Sequence, residues 1–328
     1  VSQDRISILV TGIAAPLAQS IVRAALASER SYRVIAADLG EEDAAIFPQI
    51  EYIRTTHIRE PQYRANMQRL LVKHGVDLVF LGAEREMLGL LPFYRDIEKE
   101  TGARFALSGE RALRIGMDKL LTSDLLREAG LPYPKTMPLG SSWEDVLAFV
   151  GEIGYPCVVK GRRAGEPFIV RNQEDLSYHF RNYEDAVLQE FLGEEDAQEY
   201  TVGLFYTPEH GLLDTYCMAR LLRYGLTWRG WYEKVPEIEE ICKRAVEALK
   251  PIGSCNAQLR YHRGVPVIHE FNVRCSSTTV FRALSGWNEI DMAVDYLLLG
   301  KKPEAPTIRP GRAVRYFSET WIPNESTG

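Results

Sequence analysis

The apolar positions of this chain change period along its length. Ile6-Ser7-Ile8-Leu9-Val10 is a short run suited to a buried strand, and Leu17, Ile21, Val22, Ala25 and Leu26 behind it repeat at helical spacing. Tyr32 to Ala37 predicts a second strand ending at Asp38, Tyr63 to His74 a helix, and Val76 to Leu81 a third strand. Such alternation implies βαβ units, hence a parallel sheet with helices on both faces. From Gly109 the pattern is mixed. Glu110 to Ile115 is a short helix, Asp118-Lys119 opens another that ends at Ala129-Gly130, and Trp143 to Ile153 is a third. A strand, Pro156 to Lys160, then turns to Phe168-Ile169-Val170.

Beyond that point strands dominate. Val187 to Leu192, Glu199 to Tyr206 and Gly211 to Leu221 predict an antiparallel run, followed by a helix from Ile238 to Leu249 and a strand pair ending at Arg274. A helix near Ile290 to Leu298 and a last strand, Ala313 to Thr320, close the pattern. The expected fold class is α/β, with an α+β C-terminal part, divided into residues 1–108, 109–185 and 186–328.

The strand pair carries the most specific chemistry. Ser254-Cys255-Asn256-Ala257-Gln258-Leu259-Arg260-Tyr261 precedes Val265-Pro266-Val267-Ile268-His269-Glu270-Phe271-Asn272-Val273-Arg274, with the short turn Tyr261-His262-Arg263-Gly264 between them. Alternation places Gln258 on one face of the first strand, and Glu270 and Asn272 together on one face of the second. If the turn folds them back, two amide oxygens and a carboxylate converge. Hard oxygen donors of this kind suit Mg²⁺, which takes its remaining ligands from water and phosphate. The same residues on an isolated hairpin would simply meet water. Upstream, Lys119 opens a helix and Lys160 ends an apolar run; each alone reads as a solvated surface charge.

Composition narrows the class. With 328 residues and 45% hydrophobic content the chain is long enough for two or three packed subdomains. A net charge of −6 without a basic run argues against a nucleic-acid partner. No apolar run reaches membrane-spanning length, and the first residues lack a basic-then-apolar leader, so no membrane partner is expected. Cys157, Cys217, Cys242, Cys255 and Cys275 form no C-x-x-C pair, which fits reduced thiols in a cytoplasmic protein. Gly12 and Asp38 resemble part of a dinucleotide fingerprint. However, Thr11-Gly12-Ile13-Ala14-Ala15-Pro16 lacks the second glycine, and Pro16 removes an amide, so a structural role is favoured over a nicotinamide site.

In their order along the chain these features resemble the ATP-grasp superfamily, most closely its carbamoyl phosphate synthetase large subunit and biotin carboxylase branch. The resemblance runs through Asp118-Lys119, Gly130-Leu131-Pro132-Tyr133-Pro134, Val158-Val159-Lys160, Gln189-Glu190-Phe191-Leu192, Glu199-Tyr200 and Gln258 to Glu270-Phe271-Asn272-Val273-Arg274. It implies a Rossmann-like pre-grasp domain over 1–108, a small ATP-grasp subdomain over 109–185 and a large one over 186–328. Lys119 and Lys160 would contact phosphate. Glu190, Phe191 and Leu192 would meet adenine, chiefly through the backbone, and Glu199 the ribose. Gln258, Glu270 and Asn272 would hold one or two Mg²⁺ ions, for which Mn²⁺ substitutes. Arg274 would hold a transferring phosphoryl or acyl-phosphate oxygen. The implied activity is ATP-dependent joining of a small-molecule carboxylate to an amine, in a branch compatible with a homodimer. Arg220 or Arg223 is the candidate fork for the substrate carboxylate.

One departure matters. The family's flexible glycine-rich phosphate lid is replaced by the seven residues 161–167, ending at Pro167. Either Arg162 and Arg163 supply charge in place of lost amides, or the lid is impaired and the chain is a non-catalytic nucleotide-binding module. The segment Arg220 to Trp231, rich in arginine and aromatics, is an alternative cover for the site.

Overall fold

The computed structural model describes residues 5–163, 165–193 and 198–322. Ala164 of the short loop, and the acidic run before Glu199 over 194–197, lie outside the described residues.

A five-stranded parallel sheet is built from β1 (Ser7–Thr11), β2 (Arg33–Asp38), β3 (Glu51–Arg54), β4 (Leu78–Phe80) and β5 (Arg104–Phe105), in the order β3-β2-β1-β4-β5. Its crossovers carry α1 (Pro16–Leu26), α2 (Tyr63–His74), α3 (Glu84–Leu90) and α4 (Tyr94–Thr101). The apolar run of β1 is buried on both faces, as a central parallel strand requires. The strand order reverses between β1 and β4, and their carboxyl ends open a crevice there, where sheets of this type bind ligands. Gly12 and Gly82 face each other at that edge. Gly12 has a φ of +68°, and a Cβ on Gly82 would sit 2.3 Å from the Thr11 carbonyl oxygen, so both must be glycine. Asp38 accepts from the amides of Ala14 (2.9 Å) and Leu39 (2.8 Å), a structural use of its carboxylate.

The middle of the chain adds α5 (Glu110–Gly116), α6 (Lys119–Glu128), β6 (Thr136–Pro138), α7 (Trp143–Ile153), β7 (Cys157–Gly161), β8 (Phe168–Val170), α8 (Gln173–Asn182) and β9 (Ala186–Glu190). Its strands form an antiparallel sheet in the order β6-β9-β7-β8, over a small core that includes Val146, Val159 and Leu188.

The third sheet, ordered β14-β13-β10-β11-β12-β15, contains β10 (Glu199–Thr207), β11 (Gly211–Arg223), β12 (Leu226–Tyr232), β13 (Gly253–His262), β14 (Val265–Asn272) and β15 (Arg312–Val314). Helices α9 (Pro236–Leu249), α10 (Thr279–Leu284) and α11 (Glu289–Ala293) complete it. β10 is buried along its whole length, which makes it the centre of the sheet. One core cluster joins Leu9 and Leu81 to Ile268 and Phe271, and a second joins Ile8 and Val10 to Phe205 and Trp287. The parallel and antiparallel sheets are therefore held together by two contiguous apolar layers. The mixed α/β fold matches the sequence expectation. The last strand is shorter than expected: regular pairing covers only Arg312–Val314, against Arg229–Trp231 of β12. No helix among the described residues is long and apolar enough to cross a membrane.

Candidate active site

Arg263 and Gly264 join β13 to β14 with φ of 52° and 79°, the left-handed pair that a tight two-residue hairpin needs. The resulting register sets Gln258 opposite Glu270 and Asn256 opposite Asn272. Asn272 Nδ2 donates to Glu270 Oε1 (3.1 Å), and Arg274 Nη2 donates to Asn272 Oδ1 (2.7 Å). Arg274 also donates to Glu84 Oε1 from Nε (3.0 Å) and Nη2 (2.5 Å), tying this strand end to the first turn of α3.

Lys119 and Lys160 approach from the middle of the chain. Asp118 caps α6 by accepting from the amides of Leu120 (3.0 Å) and Leu121 (3.2 Å), which fixes Lys119 at the first helical position. Lys119 lines a small cavity with Arg163, Glu270, Asn272 and Arg274. Lys160, at the end of β7, donates to Gln189 Oε1 (2.9 Å). Burial pushes its ammonium down to about 8, and Glu270, pulling the other way, is the strongest compensating charge. Of the loop arginines, Arg162 is committed to Asp118 Oδ2 (2.7 Å), while Arg163 reaches Asp185 (3.0 Å) and borders the cavity beside Glu270.

Glu199 is buried and accepts from two guanidinium groups. Arg260 donates from Nε (3.0 Å) and Nη2 (2.7 Å) to Oε2, and Arg220 donates to Oε1 from Nε (3.1 Å) and Nη2. Burial alone would raise the Glu199 carboxyl; Arg220, His269 and Arg260 together outweigh it and bring it to about 2. Arg220 Nη2 also donates to Gln258 Oε1 (2.6 Å), joining the proposed ribose and metal residues through one side chain. Arg223 lies elsewhere: its guanidinium is exposed and sits over the rings of Tyr224 (5.1 Å) and Trp228 (5.4 Å). Only Arg220 of that pair lines the cleft. Regular pairing of β9 stops at Glu190, leaving Phe191 and Leu192 as extended chain beyond the ladder. The Arg220–Trp231 segment is a strand pair turned by Tyr224 (φ 54°) and Gly225 (φ 70°), with Leu222, Gly225 and Leu226 on the cleft wall.

A cleft of about 670 Å³ runs from Gly12, Asp38 and Gly82 at the parallel sheet to Gln258, Glu270, Asn272 and Arg274. Thr201, Asn256, Ser276 and Thr278 add polar groups to its lining. Beneath them Arg282, fully buried, pairs with both oxygens of Glu289 (2.9 Å each) and donates to Thr278 Oγ1 (2.8 Å) and Asn256 Oδ1 (3.2 Å). Sequence reasoning missed Glu84, Asn256 and the Ser276–Thr278 loop. Glu84 was detectable, as an acid opening a helix just after a parallel strand; the loop was not, because hydroxyl residues are common in turns.

The donor set fits a hard divalent cation. One carboxylate and two amide side chains share a sheet face, and the small cavity beside Glu270 and Asn272 is bordered by Lys119.

Residues 183–320 match the family described as ATP-grasp in the biosynthetic pathway with Ter operon. A D-alanine–D-alanine ligase of Desulforudis audaxviator is 32% identical over 121 residues, covering 34% of this chain and 37% of that protein. The corresponding ligase of Ectopseudomonas mendocina is 28% identical over 214 residues, covering 59% and 66%. The chain thus spans less than two thirds of each of these curated relatives. Among solved structures, the ADP complex of N5-carboxyaminoimidazole synthetase from Staphylococcus aureus superposes with a TM-score of 0.74 at 15% identity, covering 95% of this chain and 83% of that one. Biotin carboxylase from Campylobacter jejuni, bound to a β,γ-ATP compound, gives 0.69 at 16% identity, with 88% and 70% covered.

Proposed function

We propose, from the premise that this chain has the ATP-grasp fold, that it is an ATP-dependent ligase joining a small carboxylate to an amine. The observation that carries the reading is the pairing of Gln258 with Glu270, with Asn272 and Arg274 following on the same strand toward the cleft. Lys119 and Lys160 would hold the β- and γ-phosphates, and Gln258, Glu270 and Asn272 the Mg²⁺. When bound, the metal supplies charge neutralisation at the phosphate oxygens. Adenine would meet the chain at Glu190–Leu192, and the sugar would lie toward Glu199.

Phosphoryl transfer asks the protein mainly for in-line positioning and charge. A carboxylate oxygen of the acid attacks the γ-phosphorus and ADP leaves, giving an acyl phosphate. The amine nitrogen then attacks the carbonyl carbon, phosphate departs, and the amine loses a proton. Arg274, held by Glu84, would steady the transferring group. Arg220 supports this reading as the charge beside Gln258, rather than as a freely rotating fork, since three protein groups already engage it. The acid and the amine would occupy the large cleft, whose mixture of hydroxyl, guanidinium and aliphatic groups suits small polar molecules.

A second reading, a nucleotide-binding module without turnover, is favoured by the short 161–167 loop and by Arg162 being tied to Asp118. ADP formation from Mg-ATP, measured across amino acids and small carboxylates with amine acceptors, separates the two. Turnover that depends on both an acid and an amine is expected. Tight Mg-ATP binding with no ADP formation across the panel would select the module.

A further inference from the structure

Three cross-strand pairings follow one another along β13. Arg260 lies opposite Glu199 of β10, Gln258 opposite Thr201 of β10 and Glu270 of β14, and Asn256 opposite Gly203 and Asn272. At about 3.3 Å per residue, Asn256 stands about 13 Å along the strand from the Arg260–Glu199 pair assigned to the sugar. In-line phosphoryl transfer puts nucleotide and acceptor on opposite sides of the moving group. With the proposed metal residues between them, the Asn256 end of the strand is the end left for the acceptor.

Gly203 leaves a gap on this face of the sheet, and Arg282 of α10 fills it: a Cβ on Gly203 would sit 2.6 Å from Arg282 Nε. The guanidinium is fully buried and held by both oxygens of Glu289 (2.9 Å each). Its Nη1 donates to Asn256 Oδ1 (3.2 Å), and Thr201 Oγ1 donates to the same oxygen (2.7 Å). A guanidinium can only donate, so the amide cannot turn over; its oxygen faces Arg282 and its nitrogen faces away. Asn256 is buried and lines the cleft, and its Nδ2 has no partner among the described residues. The hydroxyls beside it are constrained in the same way. Ser276 Oγ and Thr278 Oγ1 both accept from Arg282 (3.2 and 2.8 Å) and lie 2.7 Å apart, so one of their two hydrogens joins them and one is left over. Arg282 thereby turns the floor of the cleft into a set of donors near Arg274.

We propose that Arg282 is a positioning residue, which locks the Asn256 amide so that Nδ2 donates to the carboxylate of the acid; the inference rests on the ligase reading of this cleft. A donor held in one direction binds without having to be ordered first, so the acid meets a site already set. Arg274 brings charge to the same end, and Asn256 brings direction. Arg282 itself touches no substrate. Its pairing with Glu289 keeps a charge in the floor without presenting that charge to the cleft.

The test is steady-state ADP formation by the full chain, with Mg-ATP and with hydroxylamine as the amine. The acid is the one that wild type uses with the highest kcat/KM in a panel of amino acids and small monocarboxylates. Asn256→Asp keeps an oxygen for Arg282 and Thr201 but replaces the donor with a second acceptor. It should raise the acid's KM by about thirtyfold or more, the usual worth of a bond to a charged acceptor. Arg282→Lys keeps the charge beside Glu289 without the fork, and Gly203→Ala crowds the guanidinium; each should raise that KM by about three- to tenfold. Mg-ADP affinity, measured by calorimetry, should stay within about twofold of wild type in all three, which a general loss of structure would not allow. A wild-type KM for the acid in folded Asn256→Asp, or in both Arg282→Lys and Gly203→Ala, would overturn the inference. So would a rise in KM matched by an equal loss of Mg-ADP affinity. Should one of the last two variants not fold, the other decides, and should neither fold, Asn256→Asp decides alone. Absence of acid-dependent ADP formation by wild type across the panel would remove the ligase reading and this inference with it, whereas an unmoved KM in the variants removes only the inference.

Discussion

Two hairpins of the large sheet meet at the cleft, and they use the same devices to opposite ends. β13–β14 turns on Arg263-Gly264 and β11–β12 on Tyr224-Gly225, in each case with two left-handed residues. Both ladders slip by one residue, the first between Gln258 and Leu259, the second between Leu221 and Leu222. In the first, the slip lies beside the working residues and adds His269 to the face that holds Glu270. In the second the unmatched residue is Trp228 on β12, so β11 keeps plain alternation: Arg220 and Leu222, two apart, share the cleft wall, while Arg223, three from Arg220, falls outside it. A bulge therefore changes which side chains a strand delivers only on the strand that carries the extra residue: β14 in the first hairpin, β12 in the second.

The comparison breaks most sharply at Glu270. Glu270→Ala should leave the fold intact and cut ATP consumption on the order of a thousandfold, because the hairpin's only carboxylate toward the proposed metal is lost. Near-normal ADP formation by the folded variant would remove the metal assignment. The equivalent test of the second hairpin is Arg220→Met. Arg220 is a buried partner of Glu199, so its loss should destabilise the protein by about 3 kcal/mol, Arg260 retaining part of the compensation. The sign with pH follows from Glu199. Its carboxyl lies at about 2 when folded against an ordinary 4.5, so its contribution is present above pH 4.5 and is lost as the pH falls toward 2. Arg220→Met should raise the folded value and flatten that acid limb in urea titrations; an unchanged limb would mean Arg260 alone sets it.

The same contrast explains how much was legible. The helices Tyr63–His74 and Trp143–Ile153 stand where apolar spacing placed them, because each buries one face against a sheet. Gln258, Glu270 and Asn272 come together as alternation suggested. Alternation also set His269 on the far side of its strand, and nothing in Ile268-His269-Glu270-Phe271 announces a bulge, which arises from pairing. α8 went unseen for a different reason. Leu176 is its one fully buried residue, and Phe180 and Tyr183 pack only partly covered beside it, so the apolar stripe is weak, although Asn172 capping Asp175 was a readable start signal. Arg220 and Arg223, three residues apart on one strand, belong to opposite faces by alternation alone; what the sequence did not show is which face lines the cleft.

Lys160 offers a smaller effect that tests how the middle of the chain approaches the cleft. Its ammonium, brought from 10.5 to about 8, gives up its proton in the free protein as pH passes 8. The charged form is the one penalised by burial, so stability from this group is lowest below pH 8 and recovers between 8 and 10.5. ADP affinity should move the other way, falling by up to about tenfold per pH unit above 8 as the phosphate partner loses its charge. Lys160→Met should abolish that fall. A pH-independent affinity in wild type would show that Lys160 does not face the phosphates.

The smallest expected effect is at Arg223, and it is the cleanest discriminator between the hairpins. Arg223 rests on Tyr224 and Trp228, all at the tip of β11–β12, and contributes nothing to the cleft wall. An exposed cation–ring contact is worth about 0.5–1 kcal/mol, so Arg223→Ala should lower stability by no more than that. Turnover and the acid's KM should stay within about twofold of wild type. A large rise in KM for the acid, with kcat kept, would mean that the hairpin tip swings inward when substrate is bound, bringing Arg223 to the carboxylate after all. The unmatched Trp228 on β12 would then be the hinge of that movement.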